Sequence, residues 1–132
     1  MILSKLNKII FVFFLFFMTQ CYKTPFFDLT VQVVDQSLSP VPNTSIIIEV
    51  TDLDNGNPIN GSIIYFESTT NNEGLAQFSF ENKAFITARA CLDIIDDDTF
   101  FMCKEGHIYL EANLNKHLTL MIENGDCIYC LF

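Results

Sequence analysis

Basic side chains are scarce: seven lysines and arginines stand against sixteen aspartates and glutamates in 132 residues. Without residues 1–20, which hold Lys5 and Lys8 but no acid, five cations remain and the net charge is −11. A surface of that sign repels phosphate backbones, so no nucleic acid is expected as a partner. Long apolar runs are missing as well. The longest, Ile9 to Met18, has ten residues, about half of the ~20 that a helix needs to cross a bilayer. There is no Gly-x-Ser-x-Gly elbow, phosphate-binding glycine loop or His-Glu-x-x-His pair. No enzyme class is indicated, and no cofactor is expected. Helical periodicity is almost absent, and the length allows one globular unit.

What is present begins with Lys5 and Lys8, followed by the apolar run, the order of a secretory signal. Met18-Thr19-Gln20-Cys21 comes next. It resembles the lipobox of bacterial lipoproteins, in which an apolar residue stands three places before a cysteine that is lipidated after cleavage. Gln20 occupies a position where a small residue is usual. The resemblance implies a signal peptide over residues 1–20, a lipidated Cys21 and a tether over residues 21–27. A domain over residues 28–132 would then be anchored to a membrane. Tyr22-Lys23 lacks the aspartate of inner-membrane retention signals, which points to the outer membrane, on its periplasmic or surface face. The triplets Asn43-Thr44-Ser45 and Asn60-Gly61-Ser62 leave open a secreted protein glycosylated at those asparagines.

From Leu29 onward the period is two. Leu29, Val31 and Val33 alternate with polar residues, as do Ile46, Ile48 and Val50 beyond a turn holding Pro40 and Pro42. A third strand is expected over Ser62 to Glu67, where apolar residues on both faces suggest a central position. Asn71 to Gly74 reads as a turn, with Gly74 free to take a positive φ. Ala76, Phe78 and Phe80 mark a fourth strand, and Ile86, Ala88 and Ala90 a fifth. Ile108, Leu110 and Ala112 mark a sixth strand, and Leu118, Leu120 and Ile122 a seventh, with Asn113 to Lys116 as a hairpin turn between them. Seven short strands at near-regular spacing give an all-β, Greek-key sandwich.

Those residues also carry a family resemblance. Leu29 to Ile48, with Asp35 closing one strand and Pro40-Val41-Pro42-Asn43-Thr44 leading into the next, resembles the start of carboxypeptidase-regulatory-like, transthyretin-like domains. Asn71 to Phe78 and Phe85 to Ala90 are similar to their following strands. The resemblance implies a seven-stranded, prealbumin-like sandwich and no catalytic residues.

Five cysteines less a lipidated Cys21 leave Cys91, Cys103, Cys127 and Cys130, an even number suited to two disulfides in an oxidising compartment. The pairing expected from loop closure is Cys91–Cys103 with Cys127–Cys130; the alternative folds the C-terminal tail onto Cys91 or Cys103. Cys127-Ile128-Tyr129-Cys130 is also a CxxC, which raises thiol exchange or an accessory role to an enzyme as a second function. His107 or His117 would add to a zinc-like inventory, without zinc-site spacing. Asp96, Asp97 and Asp98 with Asp93, and Asp52, Asp54 and Asn57, supply oxygen ligands of the type calcium takes. The plainer reading of both segments is solvated acidic loops. Tyr65 and Phe66, with Ile47 and Ile64, offer an apolar patch to a partner. The leading expectation is a non-enzymatic binding or assembly module, anchored to a bacterial membrane through lipid, with a protein or glycan partner that the residues do not name.

Overall fold

The computed structural model describes residues 5, 8–11, 22–51, 64–93 and 101–130. Among the described residues eight strands run in the order β1 (Phe27–Val34), β2 (Ser45–Thr51), β3 (Ile64–Thr69), β4 (Leu75–Phe80), β5 (Phe85–Asp93), β6 (Phe101–Tyr109), β7 (Leu114–Met121) and β8 (Glu123–Asn124). They form two sheets, β4-β1-β7 and β3-β2-β5-β6-β8. The all-β, two-sheet expectation holds, with a two-residue eighth strand added. The chain leaves the larger sheet after β3, adds β4 to the smaller one and returns with β5 beside β2, a Greek-key path.

Alternation decides which side chains the sheets enclose. Leu29, Val31 and Val33 of β1 face Ile46, Ile48 and Val50 of β2 and Ile86, Ala88 and Ala90 of β5 across one core. Leu110, Leu120 and Ile122 complete it, while Phe78, Phe80, Ile108 and Leu118 pack against it partly exposed. Burying each large apolar side chain contributes about 1.5–3 kcal/mol. Ala112, placed inward by the pattern, is exposed in a turn instead. Phe27, assigned to the tether by the pattern, is the first residue of β1 and buried.

Three expectations are corrected. The strand holding Tyr65 and Phe66 is an edge strand, not a central one. Its two apolar faces have separate uses: Phe66 turns toward the gap between the sheets and meets Phe80 edge-on at 5.3 Å, whereas Tyr65 lies exposed. The sixth strand ends at Tyr109, and no hairpin joins it to the seventh. β7 instead pairs in parallel with β1 in the other sheet, and the chain crosses over at Asn113, whose φ is 60° and whose N–H donates to the Phe26 carbonyl at 2.8 Å. The early half of β6 escaped the pattern because two core-side positions hold untypical residues. Lys104, opposite Ala90, reaches Glu123 at 3.1 Å. Gly106 carries no side chain where an added Cβ would lie 2.6 Å from Leu120 Cδ2.

The β1–β2 and β3–β4 turns, at the end of the sandwich where β1 finishes, are built as the sequence implied. Asp35 accepts from the Ser37 hydroxyl at 2.6 Å and from the Ser37 and Ser39 N–H groups at 2.8 and 2.9 Å. These bonds, the Ser37 hydroxyl first, hold its carboxyl below the usual range. Gly74 takes a φ of +72°, and its carbonyl accepts from the Val33 N–H at 2.8 Å. A Cβ there would stand 2.6 Å from the Val33 carbonyl oxygen, a backbone atom that has nowhere to go. Gly74→Ala is therefore expected to lose about 1–2 kcal/mol from the left-handed backbone alone, and more from the clash. Gly125→Ala is the control, since its added Cβ meets only Cys103 Sγ at 4.0 Å. Urea denaturation of the two variants checks the difference, and equal midpoints would refute it.

Candidate functional site

The outward face of the five-stranded sheet gathers most of the chemistry of the described residues. Strand registers set it out as rows. Thr69, Ser45, Cys91 and Cys103 form one row, and Glu67, Ile47, Arg89 and Glu105 the next. Tyr65, Glu49, Thr87 and His107 form a third. These residues alternate with the buried Ile46, Ile48, Ala88 and Ala90, so core patterning alone turns them outward.

Arg89 holds the middle of this face. Its guanidinium lies 2.8 Å from Glu49 on one side and 2.8 Å from Glu105 on the other. Tyr129 covers it, with the ring centroid 5.6 Å from the guanidinium carbon. Burial works against the Arg89 charge, but hydrogen bonds to Glu105 and then Glu49 outweigh it and hold its pKa above the ordinary value. Burial, then the nearby Glu105, raises the Tyr129 phenol. Beside the cluster, His107 Nδ1 pairs with the Thr87 hydroxyl at 3.0 Å, Nε2 lies 3.5 Å from Glu105, and the ring stacks on Phe85. No motif marked Arg89, Glu49 or Glu105. The available signal was that Arg89 is the sole cation on an outward strand position in β5, but its partners depend on the β2–β5–β6 register.

Tyr129 reaches Arg89 because two disulfides fasten the C-terminal tail across the sheet. They join Cys91 to Cys130 and Cys103 to Cys127, with Cα–Cα distances of 5.8 and 6.0 Å. All four cysteines are oxidised in pairs, but the expected pairing Cys91–Cys103 with Cys127–Cys130 is overturned in favour of the crossed alternative. Cys91 and Cys103 stand directly opposite each other in the ladder and face the same way. The tail lies over that face, and a single 3-10 turn at Ile128–Cys130 sets Cys127 and Cys130 above the two strand cysteines. Each strand sulfur thus meets a tail sulfur. The loops span 39 and 24 residues, worth roughly 3–4 kcal/mol each in the chain-entropy model, less than additive because they overlap.

This arrangement decides several other candidates. Cys127 and Cys130 sit in separate bridges on a three-residue turn, not as a mutual pair at the start of a helix. With the cysteines in disulfides, His107 has no thiolate neighbour. His117 lies exposed on the opposite sheet, its Nε2 3.2 Å from Gln32 Oε1. Among the described residues no group of three or more His, Cys, Asp or Glu is arranged to hold a metal ion. Cys21, the acidic residues Asp96, Asp97 and Asp98, and Asp52, Asp54, Asn57 and Asn60 all lie outside the described residues. Asp93 ends β5 exposed. The apolar patch divides: Ile47 is half-buried on the outward face beside exposed Tyr65, Phe66 belongs to the gap between sheets, and the Ile64 side chain is outside the description.

Compared with protein-family models and with curated proteins, the chain matches none. Among the described residues no helix is long and apolar enough to cross a membrane.

Peptide mapping without reduction is expected to recover Cys91 linked to Cys130 and Cys103 to Cys127; a Cys127–Cys130 peptide would contradict the fold of the tail. Arg89→Met keeps much of the stem but strands two carboxylates, and with a side chain about four-fifths buried the expected loss is roughly 1–3 kcal/mol at neutral pH. That loss should shrink when Glu49 and Glu105 are also replaced by glutamine, because no stranded carboxylates then repel one another. Chemical denaturation of Arg89→Met with and without the two glutamine substitutions measures it, and a loss unchanged in the glutamine background would show that packing, not charge, is what Arg89 supplies.

Proposed function

We propose that the chain is a lipid-anchored protein of the bacterial cell envelope. Its β-sandwich is a non-enzymatic binding or assembly module held close to the outer membrane. The observation that carries this reading is the tail fastened by two disulfides. Such bridges persist in oxidising compartments and not in a reducing cytosol, and the leader ending at Cys21 is a route to such a compartment. Each methylene of an attached acyl chain adds about 0.8 kcal/mol of membrane affinity, so two or three chains hold a protein firmly.

The two-sheet, Greek-key body is the architecture implied by the resemblance to carboxypeptidase-regulatory-like, transthyretin-like modules, and membership of that group is part of the proposal. The binding face is the outward side of the larger sheet around Tyr65, Glu49 and His107. There, the exposed Tyr65 ring stands beside carboxylates and an imidazole, a mixture suited to a protein or a glycan. Thiol exchange through the CxxC is the less favoured reading, because its two sulfurs are engaged with different strands.

Cys21→Ser is expected to move the protein from the membrane fraction to the soluble fraction. Mass spectrometry of the wild-type N-terminal peptide should place acyl chains on Cys21. A mature chain beginning upstream of residue 21, or unchanged membrane retention in the variant, would overturn the anchor.

A further inference from the structure

The two ends of the sandwich differ in character. β1 and β7 start, and β4 and β6 end, at the end from which residues 22–26 lead back to Cys21. That tether end carries Phe26, Phe85, Tyr109 and Leu114, each between 37% and 49% exposed. They are fixed in place by the fold. The Phe26 carbonyl accepts from the Asn113 N–H, Leu114 is in register with Phe27, and Phe85 is in register with Tyr109 and stacks on His107. Beside them a cleft of about 310 Å³ opens between the sheets over Phe66, Phe80, Val50 and Ala84. At the far end the exposed apolar residues Leu38, Met121 and Ile128 stand among Asp35, Ser37, Glu123, Asn124 and Asp126.

We infer that the tether end is a membrane-docking surface, which seats its aromatic rim in the headgroup–acyl boundary of the bilayer that carries the anchor. The inference rests on the lipid-anchor reading and deepens it. Five residues between Cys21 and β1 reach at most about 20 Å when extended, so the rim is never far from the bilayer surface. The tether itself adds Tyr22, which is 91% exposed. Tyrosine suits this boundary, with an apolar ring and a hydroxyl that stays hydrated. Charge contributes little to the docking. Lys116 pairs with Glu111 at 3.4 Å, and exposed Lys83 has Glu81 two residues away. Apolar burial drives the contact, so it tolerates salt and needs no anionic lipid.

The chain contains no tryptophan, so a single introduced indole reports its surroundings alone. Full-length lipidated protein carrying Tyr109→Trp or Leu114→Trp at the tether end, or Ile128→Trp at the far end, is reconstituted into phosphatidylcholine vesicles with or without bromine on the acyl chains. Brominated lipid is expected to reduce the emission of both tether-end reporters at least about twofold, at low and high salt alike, while the far-end reporter is unchanged. Lipidated, vesicle-bound protein with no reporter quenched would overturn docking and leave the anchor standing. Equal quenching of all three would overturn this orientation. If the N-terminal peptide carries no lipid and the protein stays in solution, the anchor falls and the docking surface with it.

Discussion

Closure of β1 against β2 and β5 is the constraint on which the molecule depends. Val31, Val33, Ile46, Ile48, Ile86, Ala88 and Ala90 lose all contact with water, and each sits on an inner strand of its sheet. Because side chains alternate along a strand, fixing these residues inward fixes their neighbours outward. The His117–Gln32 contact of the smaller sheet and the Arg89 cluster of the larger one are both consequences of that choice. A one-residue slip of β5 would bury Arg89 and expose Ala88, exchanging a paired surface charge for an unpaired one in the core.

The connections are shaped by the need to bring β1 and β2 into different sheets. After Val34 the backbone turns on the Asp35 carboxylate, bridges back from Pro40 to Val34 and enters β2 past Thr44. Gly74 rests against the Val33 carbonyl and Pro40, so the β3–β4 turn and the β1–β2 turn pack as one unit. Thr70 ties them together, accepting from the Thr44 N–H and donating to the Val41 carbonyl. This end is ordered by hydrogen bonds to backbone, whereas the end where β1 begins presents the rings of Phe26, Phe85 and Tyr109. The two ends therefore suit different surroundings.

The disulfides act on a different scale from the core. They fasten a tail in which only Cys127 of residues 125–130 is buried, and in doing so place Tyr129 over Arg89 and shield an ion pair that would otherwise face water. A guanidinium between two carboxylates gains more where solvent screening is reduced. The staple and the cluster thus support each other, one supplying position and the other electrostatic complementarity on a strongly acidic chain.

The sequence by itself determined the all-strand class, the inward set from Leu29 to Ile122 apart from Ala112, the Gly74 turn and the even number of cysteines after Cys21. These are local properties: alternation, a special backbone angle, a count. Tertiary structure alone decided that Tyr65 and Phe66 lie on an edge strand, that β7 runs beside β1 and not β6, that Gly106 makes room for Leu120, and that the tail sulfurs reach across to Cys91 and Cys103. Each depends on which segments, far apart in the chain, come to lie side by side. Loop length favoured joining Cys91 to Cys103, but the direction in which the tail crosses the sheet governs which sulfurs meet, and that direction is written in no stretch of neighbouring residues.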